Sequence, residues 1–177
     1  MRLAKALDLL AALRKQLRFS NQRPRLITVG SVRRGEPTAA DLDLLVVVPD
    51  RADFQNTLAS AHLRDSPYVI TGDRGSGARR RSLVITGPGV RRIQVDLFLV
   101  RRQELPFALF HYTGSRQYNI RTRAHAKARG WLLNQYGVFY ADRVNTRVRG
   151  TSHLSTEREL ATALGVSYRP PTDRSKY

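Results

Sequence analysis

Apolar residues recur at two different periods along this chain, and each period predicts a different kind of element. Leu3, Ala6, Leu7, Leu10, Leu13 and Leu17 return every three or four positions, so residues 2–18 are expected to form an amphipathic helix with a basic outer face. A break at residues 21–24 precedes a short strand over 25–29, which stops at Gly30-Ser31. Residues 41–48, DLDLLVVV, read as a second strand closed by Pro49-Asp50. Strand side chains alternate, which puts Asp41 and Asp43 on one face and Leu42 and Leu44 on the other. The same period runs through residues 91–100, RRIQVDLFLV, with Ile93, Val95, Leu97 and Leu99 on one face and Gln94, Asp96 and Phe98 on the other.

Between these strands, residues 53–63 suggest a short helix, and 68–71 and 82–86 suggest two strands. The stretch joining those strands, GDRGSGARRR, is glycine-rich and basic and reads as a mobile hairpin loop. The character changes near residues 101–106. From Phe107 the pattern is helical, followed by a turn, HYTGS, and a helix over 116–129. Asn134-Gln135-Tyr136-Gly137 marks a hairpin turn, and Ser155-Thr156 with Glu157 and Glu159 caps a last short helix ended by Gly165. The tail RPPTDRSKY is expected to be loose. The whole predicts an α+β chain: a β-rich lobe over residues 1–103 and a smaller, mostly helical lobe over 104–177.

Charge changes the picture. The 177 residues carry 31 Lys and Arg against 14 Asp and Glu, a net +17, which favours a polyanionic partner, nucleic acid first among them. There is no cysteine, so disulfides and thiolate-bound zinc are excluded. No apolar run approaches the ~20 residues that span a bilayer, and the N-terminus lacks the features of a signal peptide. A soluble intracellular protein with no membrane partner is expected.

Asp41 and Asp43, side by side at the start of a buried strand, are costly unless a cation sits between them. Asp96 offers a third carboxylate from a second strand. Three oxygen donors suit magnesium, which binds one or two carboxylates together with substrate phosphates. Upstream, the Gly30-Ser31 backbone and hydroxyl suit a phosphate, with Arg34 one helical turn beyond Ser31. Together they read as the metal and triphosphate site of a nucleotidyltransferase.

Gly-Ser, nine residues, then Asp-x-Asp resembles the signature of the DNA polymerase beta nucleotidyltransferase superfamily, and GSVRRG with DLDLLV resembles its family X DNA polymerases. HYTGSRQYNIRTRAHAKARG with LNQYGVF, and STERELATALGVSYRPP, are similar to two further segments of that family, so the likeness runs almost end to end. The resemblance implies a nucleotidyltransferase palm of mixed sheet and helices, with a small helical C-terminal subdomain. It implies that Asp41 and Asp43 hold two Mg2+ ions, for which Mn2+ substitutes, and that Asp96 binds the catalytic one. Gly30, Ser31 and Arg34 would take the β- and γ-phosphates of a dNTP; Tyr112, Thr113 and Gly114 would border its sugar, with His111 also among the nucleotide-binding residues; Asn119 would reach the minor-groove edge of its base. Arg123 would meet the template strand, and Arg121, Lys127, Arg79, Arg80, Arg81, Arg14 and Lys15 are the remaining DNA contacts. No lyase or helix-hairpin-helix domain is expected, since about 20 residues precede the first strand.

Three positions depart from the family pattern: His111-Tyr112 replaces Tyr-Phe, Arg116 replaces an acidic residue, and Gln94 replaces an arginine. The expected function is template-directed, short-gap-filling DNA synthesis by a monomer on primer-template or gapped DNA. Two other readings share some of these features. One is an untemplated nucleotidyltransferase acting on RNA, a small molecule or a protein; the other is an inactive nucleic-acid-binding module.

Overall fold

The helical spacing at the start of the chain is realised as α1, Leu3–Gln16, in the computed structural model, which describes residues 1–20, 24–49, 54–143 and 145–176. Its sequence is almost entirely Ala, Leu, Lys, Arg and Gln, strong helix formers without a β-branched residue. Arg14 and Lys15 lie in the last turn, where cations complement the helix dipole. The chain divides into two compact units, Met1–Arg102 and Gln103–Tyr177.

In the first unit α1 is followed by β1 (Leu17–Arg18), β2 (Arg25–Thr28), α2 (Gly30–Arg33), β3 (Asp41–Val48), α3 (Phe54–Ala59), β4 (His62–Leu63), β5 (Val69–Gly77), β6 (Arg80–Gly87) and β7 (Val90–Arg101). Five strands form one sheet in the order β2-β3-β7-β6-β5, with β3 and β7 parallel and the other neighbours antiparallel. One face carries Leu42, Leu44, Val46, Leu83, Ile85, Ile93, Val95, Leu97 and Leu99, packed in one cluster with Ala6, Leu9, Leu10 and Leu13 of α1. The alternation in β3 and β7 therefore sorts as the sequence predicts, the aliphatic set against α1 and the carboxylates on the reverse. Residues 44–48 are buried without alternation, as a strand in parallel pairing inside a sheet requires.

Two expectations change in this unit. The helix expected over residues 53–63 is shorter; it ends at Ala59, and His62–Leu63 pairs antiparallel with Leu17–Arg18 instead. Asp53 lies outside the described residues. The stretch read as a mobile loop is mostly strand. β5 and β6 pair as far as Gly77 opposite Arg80, with irregularities between Ile70 and Gly72 and between Asp73 and Ser76. The irregularity is stabilised locally: Asp73 accepts from the Gly75 amide at 3.1 Å and from Arg81 at 2.8 Å. Glycine there permits the positive φ of +130° at Gly75.

The second unit holds α4 (Leu105–Thr113), α5 (Arg116–Lys127), the hairpin β8 (Trp131–Asn134) and β9 (Gly137–Tyr140), and α6 (Glu157–Ala163). Its core is separate: Phe107, Phe110, Tyr118, Ala126, Leu133, Val138, Val148, Leu160, Ala161 and Leu164. Asn134 shapes the hairpin turn by accepting from the amides of Tyr136 and Gly137 at 2.8 and 3.2 Å. Thr156 caps α6 and forms a reciprocal capping box with Glu159. Residues 111–113, read as part of a turn, are the last turn of α4, which ends at Gly114 with φ +72°.

The tail is not loose. Pro171–Lys176 forms a 3-10 helix, and Arg174 is fully buried. Its Nη1 donates to Glu157 Oε1 at 2.9 Å, its Nε donates to the Arg169 carbonyl at 2.9 Å, and its guanidinium lies 4.8–5.8 Å from the rings of Tyr118, Phe110 and Tyr168. A buried arginine is tolerated because a carboxylate and aromatic faces replace its water.

Candidate active site

The parallel register of β3 and β7 sets Asp43 opposite Asp96 and Asp41 opposite Gln94. Residues paired across parallel strands share a face, so Asp41, Asp43 and Asp96 stand together on the side of the sheet away from α1. Like charges this close, partly out of water, resist ionisation. The Asp43 carboxyl is accordingly raised from 3.8 to about 7, first by burial, then by Asp41 and Asp96, against opposing pulls from Arg34 and Arg80.

Gly30 begins α2 directly beside this carboxylate. Its φ is +65°, and a side chain there would run into Asp43, so only glycine brings the backbone so near. The link is also made through the main chain, the Val29 amide donating to the Asp43 carbonyl at 3.0 Å. Arg34 caps α2 at its C-terminal end and reaches Glu36 at 3.4 Å, with its charge still felt at Asp43.

Three hard oxygen donors, one of them raised to about 7 by burial and by the other two, fit a divalent cation, whose charge would favour the ionised carboxylates. Among the described residues, however, no three such side chains already stand close enough to enclose an ion. Both oxygens of Asp96 are taken: Arg80 Nη2 donates to Oδ2 at 2.9 Å and Gln94 Nε2 to Oδ1 at 3.0 Å. These two partners were not legible as such in the sequence. Arg80 reads as one of three loop arginines until the β6–β7 register brings it next to Asp96.

The other basic candidates divide. Arg81 donates from Nη1 to the carbonyls of Leu58, Ala59 and Ala61 at 2.8–3.1 Å and from Nε to Asp73, so its guanidinium closes the end of α3. Arg79 is half-buried in the turn before β6, its carbonyl accepting from the Leu99 amide at 2.9 Å. Arg14 and Lys15 are exposed on α1, with Arg14 donating to Thr28 Oγ1 at 2.7 Å.

In the second unit three of the expected residues come together. Asn119 Nδ2 donates to the His111 carbonyl at 2.7 Å, and Arg123 Nη2 lies 2.7 Å from His111 Nδ1. The imidazole, set edge-on to Tyr112 at 4.8 Å, is thereby an acceptor. Burial and then Arg123 lower it from 6.5 to about 4, so it is neutral at physiological pH. Thr113 and Gly114 are buried, whereas Arg121, Arg123 and Lys127 are exposed on α5.

One pH effect follows from Asp43. Its folded value lies above 3.8, so the folded chain holds this proton more tightly than the unfolded chain. The associated stability is complete below about pH 4 and is lost as pH rises through about 7. Metal-free protein is expected to lose melting temperature across that window. Asp43→Asn should flatten the loss, which melts of the two proteins at a series of pH values would check.

Residues 10–82 match the family model described as a nucleotidyltransferase domain, and residues 108–175 match the DNA polymerase beta thumb. Over 149 residues the chain is 34% identical to repair DNA polymerase X of African swine fever virus, covering 84% of this chain and 80% of the viral protein. It is 28% identical over 181 residues to DNA polymerase lambda of Rattus norvegicus, covering 93% of this chain and 32% of that protein. The fold matches a Leishmania infantum polymerase beta from a ternary gap complex with a TM-score of 0.72 at 17% identity, over 98% of this chain and 70% of that one. Among the described residues no helix is long and apolar enough to cross a membrane. With the viral repair polymerase matched over four fifths of its length, the chain belongs to the family X DNA polymerases.

Proposed function

We propose that this polymerase fills short gaps in DNA as a monomer, adding dNTPs to a primer 3′-hydroxyl as the template base directs, with Asp41, Asp43 and Asp96 holding two magnesium ions. The observation that carries this reading is the β3–β7 register, which aligns the three carboxylates on one face of the sheet. When bound, the ions supply Lewis-acid stabilisation of the charge on the transferring phosphoryl group. Asp41 and Asp43 would hold both ions, and Asp96 would hold the one beside the primer terminus.

The remaining roles belong to the chain's own hydrogen-bonding groups. Gly30 brings backbone against the carboxylates, and Ser31 and Arg34 bind the β- and γ-phosphates. Tyr112, Thr113 and Gly114 border the sugar at the end of α4. Asn119, anchored on the His111 carbonyl, is held to present its amide to the minor-groove edge of the incoming base, where acceptors recur in every correct pair. Arg123 is steadied by neutral His111 and meets the template strand. Arg121, Lys127, Arg14 and Lys15 contribute phosphate contacts, which makes binding steeply salt-dependent.

Single-nucleotide extension on gapped DNA, run with each dNTP against each of the four template bases, tests this reading. Incorporation that follows the template base supports it. Equal addition of all four regardless of template would replace it with untemplated nucleotidyl transfer.

A further inference from the structure

Asp96 is only 4% exposed, and both of its oxygens are bound within the protein. The two donors differ in kind. Gln94 sits two positions along the same strand, and its Oε1 accepts from Arg74 Nη1 of β5 at 3.4 Å. Arg80 comes from β6, opposite Phe98 in register, and stacks its guanidinium 5.8 Å from that ring. The ion pair is lopsided: the Arg80 side chain is 54% exposed and that of Asp96 6%. The carboxylate is fixed in the sheet, whereas the cation can turn toward solvent at little cost.

A guanidinium 2.9 Å from Oδ2 occupies the position a metal ion would need and repels it. Carboxylate and phosphate accept the same forked donors with similar strength, so a DNA phosphate can take over the contact. We infer that Arg80 is a DNA-responsive latch: in the free enzyme it occupies Asp96 and keeps a divalent ion from it, and on DNA it passes to a backbone phosphate and releases Asp96 to join Asp41 and Asp43. Gln94, a neutral donor, stays on Oδ1 and keeps the carboxylate oriented throughout. The consequence is that the metal site is completed only where there is a strand to extend. The inference rests on Asp96 being a metal ligand.

The test is Mn2+ titration of the full chain, followed by electron paramagnetic resonance at about pH 8, with and without gapped DNA. Wild type, Arg80→Gln, Asp43→Asn and Asp96→Asn are compared. Without DNA, Arg80→Gln is expected to bind Mn2+ about tenfold tighter than wild type, the size of one charge-assisted contact. With DNA bound, the two should agree, because the latch is then open in wild type. The DNA affinity of Arg80→Gln should also fall less steeply with salt, by about one released counterion. Equal or weaker Mn2+ binding by DNA-free Arg80→Gln, while Asp43→Asn and Asp96→Asn weaken binding on gapped DNA, would overturn the latch and leave the metal assignment standing. Unchanged Mn2+ binding on gapped DNA in Asp43→Asn and Asp96→Asn would overturn the metal assignment itself, and the latch with it.

Discussion

Asp96→Asn is expected to lower nucleotide incorporation about a thousandfold, equivalent to about 4 kcal/mol of lost transition-state stabilisation. The substitution keeps the shape of the side chain and removes its charge. Asp96 stands opposite Asp43 in the paired strands, and its charge is one cause of the raised Asp43 value, so its neutralisation relieves repulsion there while it weakens the Arg80 ion pair. Melting temperature should therefore change little, and DNA affinity should hold or rise, since Arg80 is freed to meet phosphate. Rapid-quench incorporation alongside thermal melts checks both halves. A variant within tenfold of wild type would remove Asp96 from the chemistry.

Arg174→Ala has the largest expected effect on stability. It takes the guanidinium away from the buried Glu157 carboxylate and opens a space among Phe110, Tyr118 and Tyr168. Breaking a buried pair from one side costs about 3–5 kcal/mol, whereas replacing both members with apolar residues of like volume is often close to neutral. Arg174→Met combined with Glu157→Leu should thus recover most of the loss. The protein has one tryptophan, Trp131, which packs against the second unit's core, so its fluorescence in urea reports on that unit directly. A loss under about 1 kcal/mol for Arg174→Ala would mean that the tail does not brace this unit.

The tail shows why parts of the chain were opaque in sequence. RPPTDRSKY has no apolar period, and the value of Arg174 depends on Glu157, 17 residues earlier, and on rings from two helices. Periodicity registers the side chains that bury themselves; it has no term for a charge that is buried by its partners. The same limit hid how far the hairpin of β5 and β6 extends, since its glycines and arginines look like loop until Asp73 and Arg81 are seen to tie it together. Where side-chain alternation carried the information, as in β3 and β7, strand, face and carboxylate placement were all readable. His111 lies between: its place near Asn119 and Arg123 follows from the turn between α4 and α5, but its role as an acceptor emerges only from the 2.7 Å contact.

Asp41, Asp43 and Asp96 are expected to surround divalent ions once DNA and nucleotide are present. Anomalous diffraction at the manganese edge tests it most directly, from crystals of the protein with gapped DNA, a non-hydrolysable dNTP analogue and Mn2+. Two peaks are predicted, both bound by Asp41 and Asp43 and one also by Asp96, with Arg80 turned away to a phosphate. Peaks away from these carboxylates, or Asp96 still paired to Arg80 beside a filled site, would contradict it.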